Sequence, residues 1–175
     1  ESYQPNVIFN MVEQFASSLG NENRITSFLE LQGVPVTGCG STGITLSKDK
    51  ILSKKIASFH GVRPPQFMVH EPGNLVKLDK GIQFPLMVKP AREEASYGIS
   101  LKSVVRNEEE LVDRVCFVHE KFEQEALVEE FIEGREVSNG VFLSKKGIKV
   151  LPITEIITEN DFFDYNAKYH GESNE

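Results

Sequence analysis

Cysteine is scarce in this chain: Cys39 and Cys116 are the only two in 175 residues. Neither stands at metal-ligand spacing from another cysteine or histidine, so no Cys/His metal site is expected. Both read as reduced thiols of a cytoplasmic protein. Cations are also in short supply. Lys and Arg number 19 against 26 Asp and Glu, for a net charge of -7, and no basic stripe gathers them. Phosphate backbones need clustered Lys and Arg, so nucleic acid is not an expected partner. No apolar run reaches bilayer-spanning length, and no membrane partner is expected. Internal repeats and low-complexity tracts are missing as well. What is present is globular composition, 39% hydrophobic and 26% charged, at the length of one domain or one domain plus part of another. The histidines His60, His70, His119 and His170 are scattered and suggest no shared site.

Local patterns predict the elements. Val7 to Val12 reads as a short buried strand. Glu22 to Gln32 reads as a helix, with Ile25, Phe28, Leu29 and Leu31 near helical spacing and Gly33 as its stop. VPVTG follows as a second short strand. Ser47 is expected to cap a helix that runs to Gly61. The prolines of VRPPQFMVH keep that extended segment out of a central strand. Phe84 to Lys89 reads as a strand. Asn107 to Glu123 reads as a helix, capped by Asn107 with Glu110 completing a capping box. ALVEEFI, REVSNGVFL and IKVLPITEI read as strands, the last two joined by an SKKG turn. The result is an α/β piece followed by an α+β region with a mainly antiparallel sheet.

Four stretches carry candidate chemistry. FPLMVKPAREEASYG ends an apolar strand in Lys89 and continues into a loop with Ala95, Ser96 and Gly98. An ammonium at the end of a buried strand needs an anion, and a small-residue loop beside it offers backbone N–H groups to a phosphate. An ordinary strand-to-turn connection with a snorkelling lysine is the alternative. In LVEEFIEGRE, Glu129 and Glu130 must face opposite sides of a strand. Glu136 returns a carboxylate suited to sugar hydroxyls, or all three belong to a solvated face. DYNAKYH, Asp164 to His170, is either a flap with a phosphate-directed cation or a plain tail. Gly38, Gly40 and Gly43 spell G-x-G-x-x-G, with Glu71 as a distant ribose partner. The proline-rich segment before Glu71 and the lack of a second βαβ unit argue against a dinucleotide fold. Ser41 lacks a nucleophile elbow.

Together FNMVE, ELQGVPVTGCG, LSKDKILSKKIASFHGV, FPLMVKPAREEASYGIS, LVEEFIEGRE and FFDYNAKY resemble the D-alanine–D-alanine ligase branch of the ATP-grasp superfamily, in family order across nearly the whole chain. The resemblance implies ATP as cofactor and a small amino-acid-like substrate. It places Lys50 and Lys89 on the α- and β-phosphates and Glu93 to Gly98, with Ser96, in the flap over them. Backbone groups of Glu129 and Ile132 would meet adenine, and Glu136 the ribose. Lys168 would reach the γ-phosphate, and Tyr169 would close the acceptor site. The implied reaction joins a carboxylate to an amine through an acyl phosphate. A non-catalytic nucleotide-binding module is the alternative, and a dinucleotide-binding fragment a lesser one.

This chain departs from the family at Glu94-Ala95-Ser96, where typical members carry Gly-Ser-Ser, and at Glu130, where many carry lysine. These changes leave the amino acid open between D-alanine and other amino-acid or peptide substrates. The expected organisation is the end of a preceding α/β domain (1–43), the central nucleotide-lid domain (44–153) and the start of the C-terminal domain (154–175). Both ends read as cut, so the piece is expected to be inactive by itself and to self-associate. The Mg²⁺ carboxylates and a closing Glu-x-Asn segment would follow Glu175, so no metal ligand is assigned within the chain.

Overall fold

A computed structural model describes residues 5–12 and 21–157. They fall into two units, Glu1–Pro64 with Ala91–Glu94, and Pro65–Pro90 with Ala95–Glu175.

The first unit is helical. α1 spans Glu22–Leu31, and Gly33 follows it at φ +71°, the left-handed exit its sequence predicts. α2, Ser41–Lys48, and α3, Lys50–Phe59, meet at Asp49. The expected cap at Ser47 is corrected: its hydroxyl donates to the Ile44 carbonyl inside α2. Asp49 caps α3 instead, accepting from the Leu52 N–H at 2.8 Å. A carboxylate in extended backbone caps the helix and also suits its dipole, so the predicted helix starts at Lys50, and a further helix, α2, precedes it. The expected buried strand at Val7 to Val12 is corrected too. It makes one parallel bridge, Ile8 to Val36, and Phe9 is 75% exposed. At Asn10 the main-chain N–H turns to the Thr37 hydroxyl at 3.0 Å, a side-chain bond that replaces the next rung of a ladder.

The second unit holds a four-stranded antiparallel sheet. Its strands are β1 (Phe67–His70), β2 (Leu86–Pro90), β3 (Val104–Val105) and β4 (Ala126–Glu130), in the order β1-β4-β2-β3. β1 lies at the edge, as its flanking prolines require. α4, Glu108–Phe122, covers one face. Asn107 caps it as predicted, accepting from the Glu110 N–H at 2.9 Å. The Glu110 carboxylate reaches back to the Arg106 N–H at 2.7 Å rather than to that of Asn107. Leu111, Val115 and Val118 of α4 pack on Leu86, Val88, Val105, Ala126 and Val128, the core of the unit. Side chains alternate along strands, so Met87, Lys89, Leu127 and Glu129 share the opposite face.

β5 (Glu136–Ser144) and β6 (Gly147–Ile156) form a separate hairpin through the predicted SKKG turn. Its register shifts between Asn139 and Val141. Pro152 in β6 has no N–H to offer there, and the Asn139 amide donates to the Leu151 carbonyl at 2.7 Å.

Candidate functional site

The face of the sheet away from α4 carries the site. Lys89 pairs across the ladder with Leu127, and Met87 with Glu129. Lys89 and Glu129 are therefore diagonal neighbours on one face, within reach of long side chains. The Lys89 ammonium donates to Glu129 Oε1 at 2.5 Å. Glu129 is 5% exposed, so its charge is held in the protein by this cation. The pair lines a cavity of about 450 Å³, with Ser96, Ile99, Phe131, Ile132 and Glu136 among its other walls. A second cavity of about 480 Å³ shares Phe131, Ile132 and Glu136 and adds Leu101, Val104 and Arg106.

Ser96 reaches this cavity from a tight loop. Ala95 and Ser96 take φ +54° and +60°, Gly98 takes +78°, and the Ile99 N–H closes on the Ser96 carbonyl at 2.9 Å. Gly98 has no room for a side chain, because an added Cβ would stand 2.5 Å from Phe122 Cζ. Met87, Ile99 and Phe131 supply apolar walls. Sequence reasoning missed these three, although Met87 lies two residues from Lys89 and so on its face. Glu130 points its carboxylate to the Gln66 N–H at 3.0 Å.

Lys50 and Glu93 belong to the first unit, where the Lys50 ammonium donates to the Glu93 carbonyl. There too the Glu94 carboxylate lies 3.5 Å from the Lys48 ammonium. The structure thus brings Lys89, Ser96, Glu129, Ile132 and Glu136 around one cavity. Gly98 lies beside it in the Ser96 loop. Lys168 and Tyr169 fall outside the described residues.

The G-x-G-x-x-G stretch has its own occupant. Glu30 accepts from the Ser41 N–H at 3.1 Å and from the Ser41 hydroxyl at 2.6 Å. The start of α2, where a bound phosphate would sit in a dinucleotide fold, therefore carries a carboxylate of the chain. These bonds hold Glu30 below the usual carboxylate range. Glu71 bonds the Asn74 side chain in a local turn.

Among the described residues no group of three His, Cys, Asp or Glu gathers as for a metal. No helix among them is long and apolar enough to cross a membrane. Cys39 and Cys116 form no disulfide. A cation backed by a buried carboxylate, beside apolar walls and a rim carboxylate, is chemistry for a ligand that joins a flat apolar group, hydroxyls and an anion.

The family model for the D-ala D-ala ligase C-terminus matches residues 52–175. The chain is 35% identical over 173 residues to the D-alanine--D-alanine ligase of Flavobacterium johnsoniae, covering 96% of this chain and 51% of that protein. Among solved structures it is similar to the VanG D-Ala:D-Ser ligase of Enterococcus faecalis, with TM-score 0.76 and 27% identity over 97% of this chain and 48% of that one. It is also similar to the Bacillus anthracis D-alanine--D-alanine ligase complexed with ATP, with TM-score 0.69 and 25% identity over 90% and 50% of the two chains. The chain spans about half the length of the curated relatives it matches. By the family model and the fold, this chain belongs to the D-alanine–D-alanine ligase family and carries the ATP-grasp architecture.

Proposed function

We propose that this chain supplies the nucleotide-binding part of an ATP-dependent carboxylate–amine ligase. The observation that carries the reading is the Lys89–Glu129 pair in a cavity that Ser96, Ile132 and Glu136 also line. In this reading Lys89 meets the α- and β-phosphates, with Ser96 and Gly98 in the loop over them. Met87, Ile99 and Phe131 hold the base between apolar surfaces. Ile132 offers its main chain to the base edge, and Glu136 accepts from the ribose hydroxyls. Glu129 lies inside the ladder opposite Phe67 and Met87, so its role is to hold Lys89 rather than to read adenine through its backbone. Lys50, Glu93, Lys168 and Tyr169 keep the phosphate and acceptor roles the family resemblance gives them.

The reaction is phosphoryl transfer followed by amide formation. The substrate carboxylate attacks the γ-phosphorus and ADP leaves. The amine then attacks the acyl phosphate and displaces inorganic phosphate, losing a proton. Positioning and charge neutralisation carry such a reaction. The described residues contain no acidic cluster fit for Mg²⁺. The substrate is D-alanine or another amino acid or peptide. Glu94 and Ala95 distinguish the phosphate loop from its Gly-Ser-Ser form.

Calorimetric titration tests the nucleotide reading. ATP is expected to bind, and Lys89→Met is expected to weaken ATP about 10- to 100-fold, the worth of a charge-assisted contact. Adenosine affinity is expected to stay unchanged. Equal losses for ATP and adenosine would remove Lys89 from the phosphates. Binding of NAD in preference to ATP would replace this reading with the dinucleotide one.

A further inference from the structure

The loop that carries Ser96 is fastened from outside the cavity. Arg114 of α4 is 8% exposed, yet no carboxylate pairs with it among the described residues. Its Nη2 donates to the Gly98 carbonyl and, at 2.8 Å, to the Ser103 hydroxyl. Its guanidinium stacks 4.3 Å from the Phe117 ring centroid. Its Nε–H has no acceptor among the described residues. Burial without a counter-ion is a poor arrangement for stability, and an apolar side chain of similar volume commonly packs as well or better. Both hydrogen-bond acceptors of Arg114 lie at Gly98 and Ser103, so the cation is spent on that segment.

A second fastening agrees with the first. Phe122, on the last turn of α4, occupies the space where a Gly98 side chain would sit. Tyr97 meets the same ring edge to face at 5.5 Å between centroids. Two consecutive non-glycine residues in left-handed backbone, Ala95 and Ser96, persist only where surroundings over-determine them.

We propose that Arg114 is a positioning residue that holds the Ala95–Gly98 loop in the conformation that receives the nucleotide phosphates, an inference that rests on the nucleotide site proposed above. Arg114 touches no ligand itself. It acts through the Gly98 carbonyl, and the main-chain groups of the loop are the ones that meet phosphate.

Hydrogen exchange and nucleotide titration test it on the same samples. Arg114→Met is expected to keep its melting temperature while exchange of the amides at residues 95–99 rises about tenfold, with β2 and β4 unchanged. ATP affinity is expected to fall about tenfold with adenosine affinity constant, the size of coupling one fastening residue carries. Arg114→Lys keeps a donor for the Gly98 carbonyl and is expected to recover part of both effects. Arg114→Gln gives the same readouts where Arg114→Met lowers the folded fraction. Loop exchange unchanged in these variants overturns the proposal, whatever the nucleotide does. Faster loop exchange with equal losses for ATP and adenosine overturns the phosphate role of the loop. A wild-type chain that binds no ATP, with loop exchange still dependent on Arg114, overturns the nucleotide reading itself and leaves Arg114 a structural residue.

Discussion

The four-stranded sheet and the β5–β6 hairpin are written in much the same alphabet and end in opposite states. Leu86, Val88, Ala126 and Val128 are fully buried, whereas Leu143 is 81% and Ile148 75% exposed. Both regions satisfy their backbone groups by antiparallel pairing. The difference is α4, which covers one face of the sheet, while every position of the hairpin strands except Ser144 and Ile156 is exposed. A β-rich apolar pattern specifies extended backbone; a covering element specifies core. The site occupies the remaining face of the covered sheet, where a rigid core beneath fixes the Lys89–Glu129 pair.

Removing the cover should have the largest effect. Leu111 is 1% exposed and packs between α4 and the strands. Leu111→Ala is expected to cost about 2–5 kcal/mol in urea denaturation, the transfer loss plus the cavity left behind. That is a large fraction of a small domain's stability. A loss below about 1 kcal/mol would mean that α4 is not what separates the sheet from the hairpin.

The site face should respond next. Glu129→Gln leaves Lys89 without its carboxylate in a half-buried position, at an expected cost of about 1–3 kcal/mol. The double variant Lys89→Met, Glu129→Gln removes both charges and is expected to lose less than Lys89→Met and Glu129→Gln summed. A coupling of about 1–2 kcal/mol, read from a double-mutant cycle in urea, is the expected result. Additive losses would show that the two groups are neighbours without energetic contact.

Much of this was legible in the sequence because the signals were local. Asn107 and Glu110 named the start of α4, Gly33 the end of α1, the prolines the edge position of β1, and SKKG the hairpin turn. Lys89 at a strand end announced an anion-handling group. What stayed hidden depended on partners distant in sequence. Nothing local says that Glu129 rather than Glu130 turns to Lys89; that follows from the register between β2 and β4. The Val7 to Val12 segment looked like a buried strand because it is apolar, but Asn10 and Thr37 replace its ladder with side-chain bonds. Ser47 lost its capping role to Asp49, a competition between two good cap residues that spacing does not decide. Arg114 carried no sequence signal at all, since a lone arginine in a helix reads as surface charge.

The covered sheet also holds a buried titratable group, and the described hairpin positions hold none. His70, at the end of β1, is buried, and burial lowers its pKa below the ordinary 6.5, with Asp79 opposing the shift and His119 adding to it. The unfolded chain therefore takes up the proton first as pH falls. Stability is full above about pH 6.5 and is lost progressively below it, down to the folded pKa. Carboxylates titrate over part of this window, so the informative quantity is a difference. Melting temperature from pH 7.5 to 5 is expected to fall more steeply for the wild type than for His70→Gln. Parallel curves would show that His70 is as free to charge in the fold as outside it.

The smallest effect belongs to the hairpin. Leu143 is among its most exposed apolar residues and pairs with Ile148 beside the turn. Truncating it removes little surface that folding had taken from water, and the cross-strand pair is worth only about 0.2–1 kcal/mol. Leu143→Ala is accordingly expected to change stability by no more than about 0.5 kcal/mol, against several for Leu111→Ala. The two substitutions delete the same atoms from the same residue type, and the helix and strand propensities of Ala differ by no more than about 1 kcal/mol, so burial is the larger difference. A loss at Leu143 approaching that at Leu111 would mean that the hairpin side chain is covered in solution, and the contrast between the two regions would then be one of which surface covers them rather than whether one does.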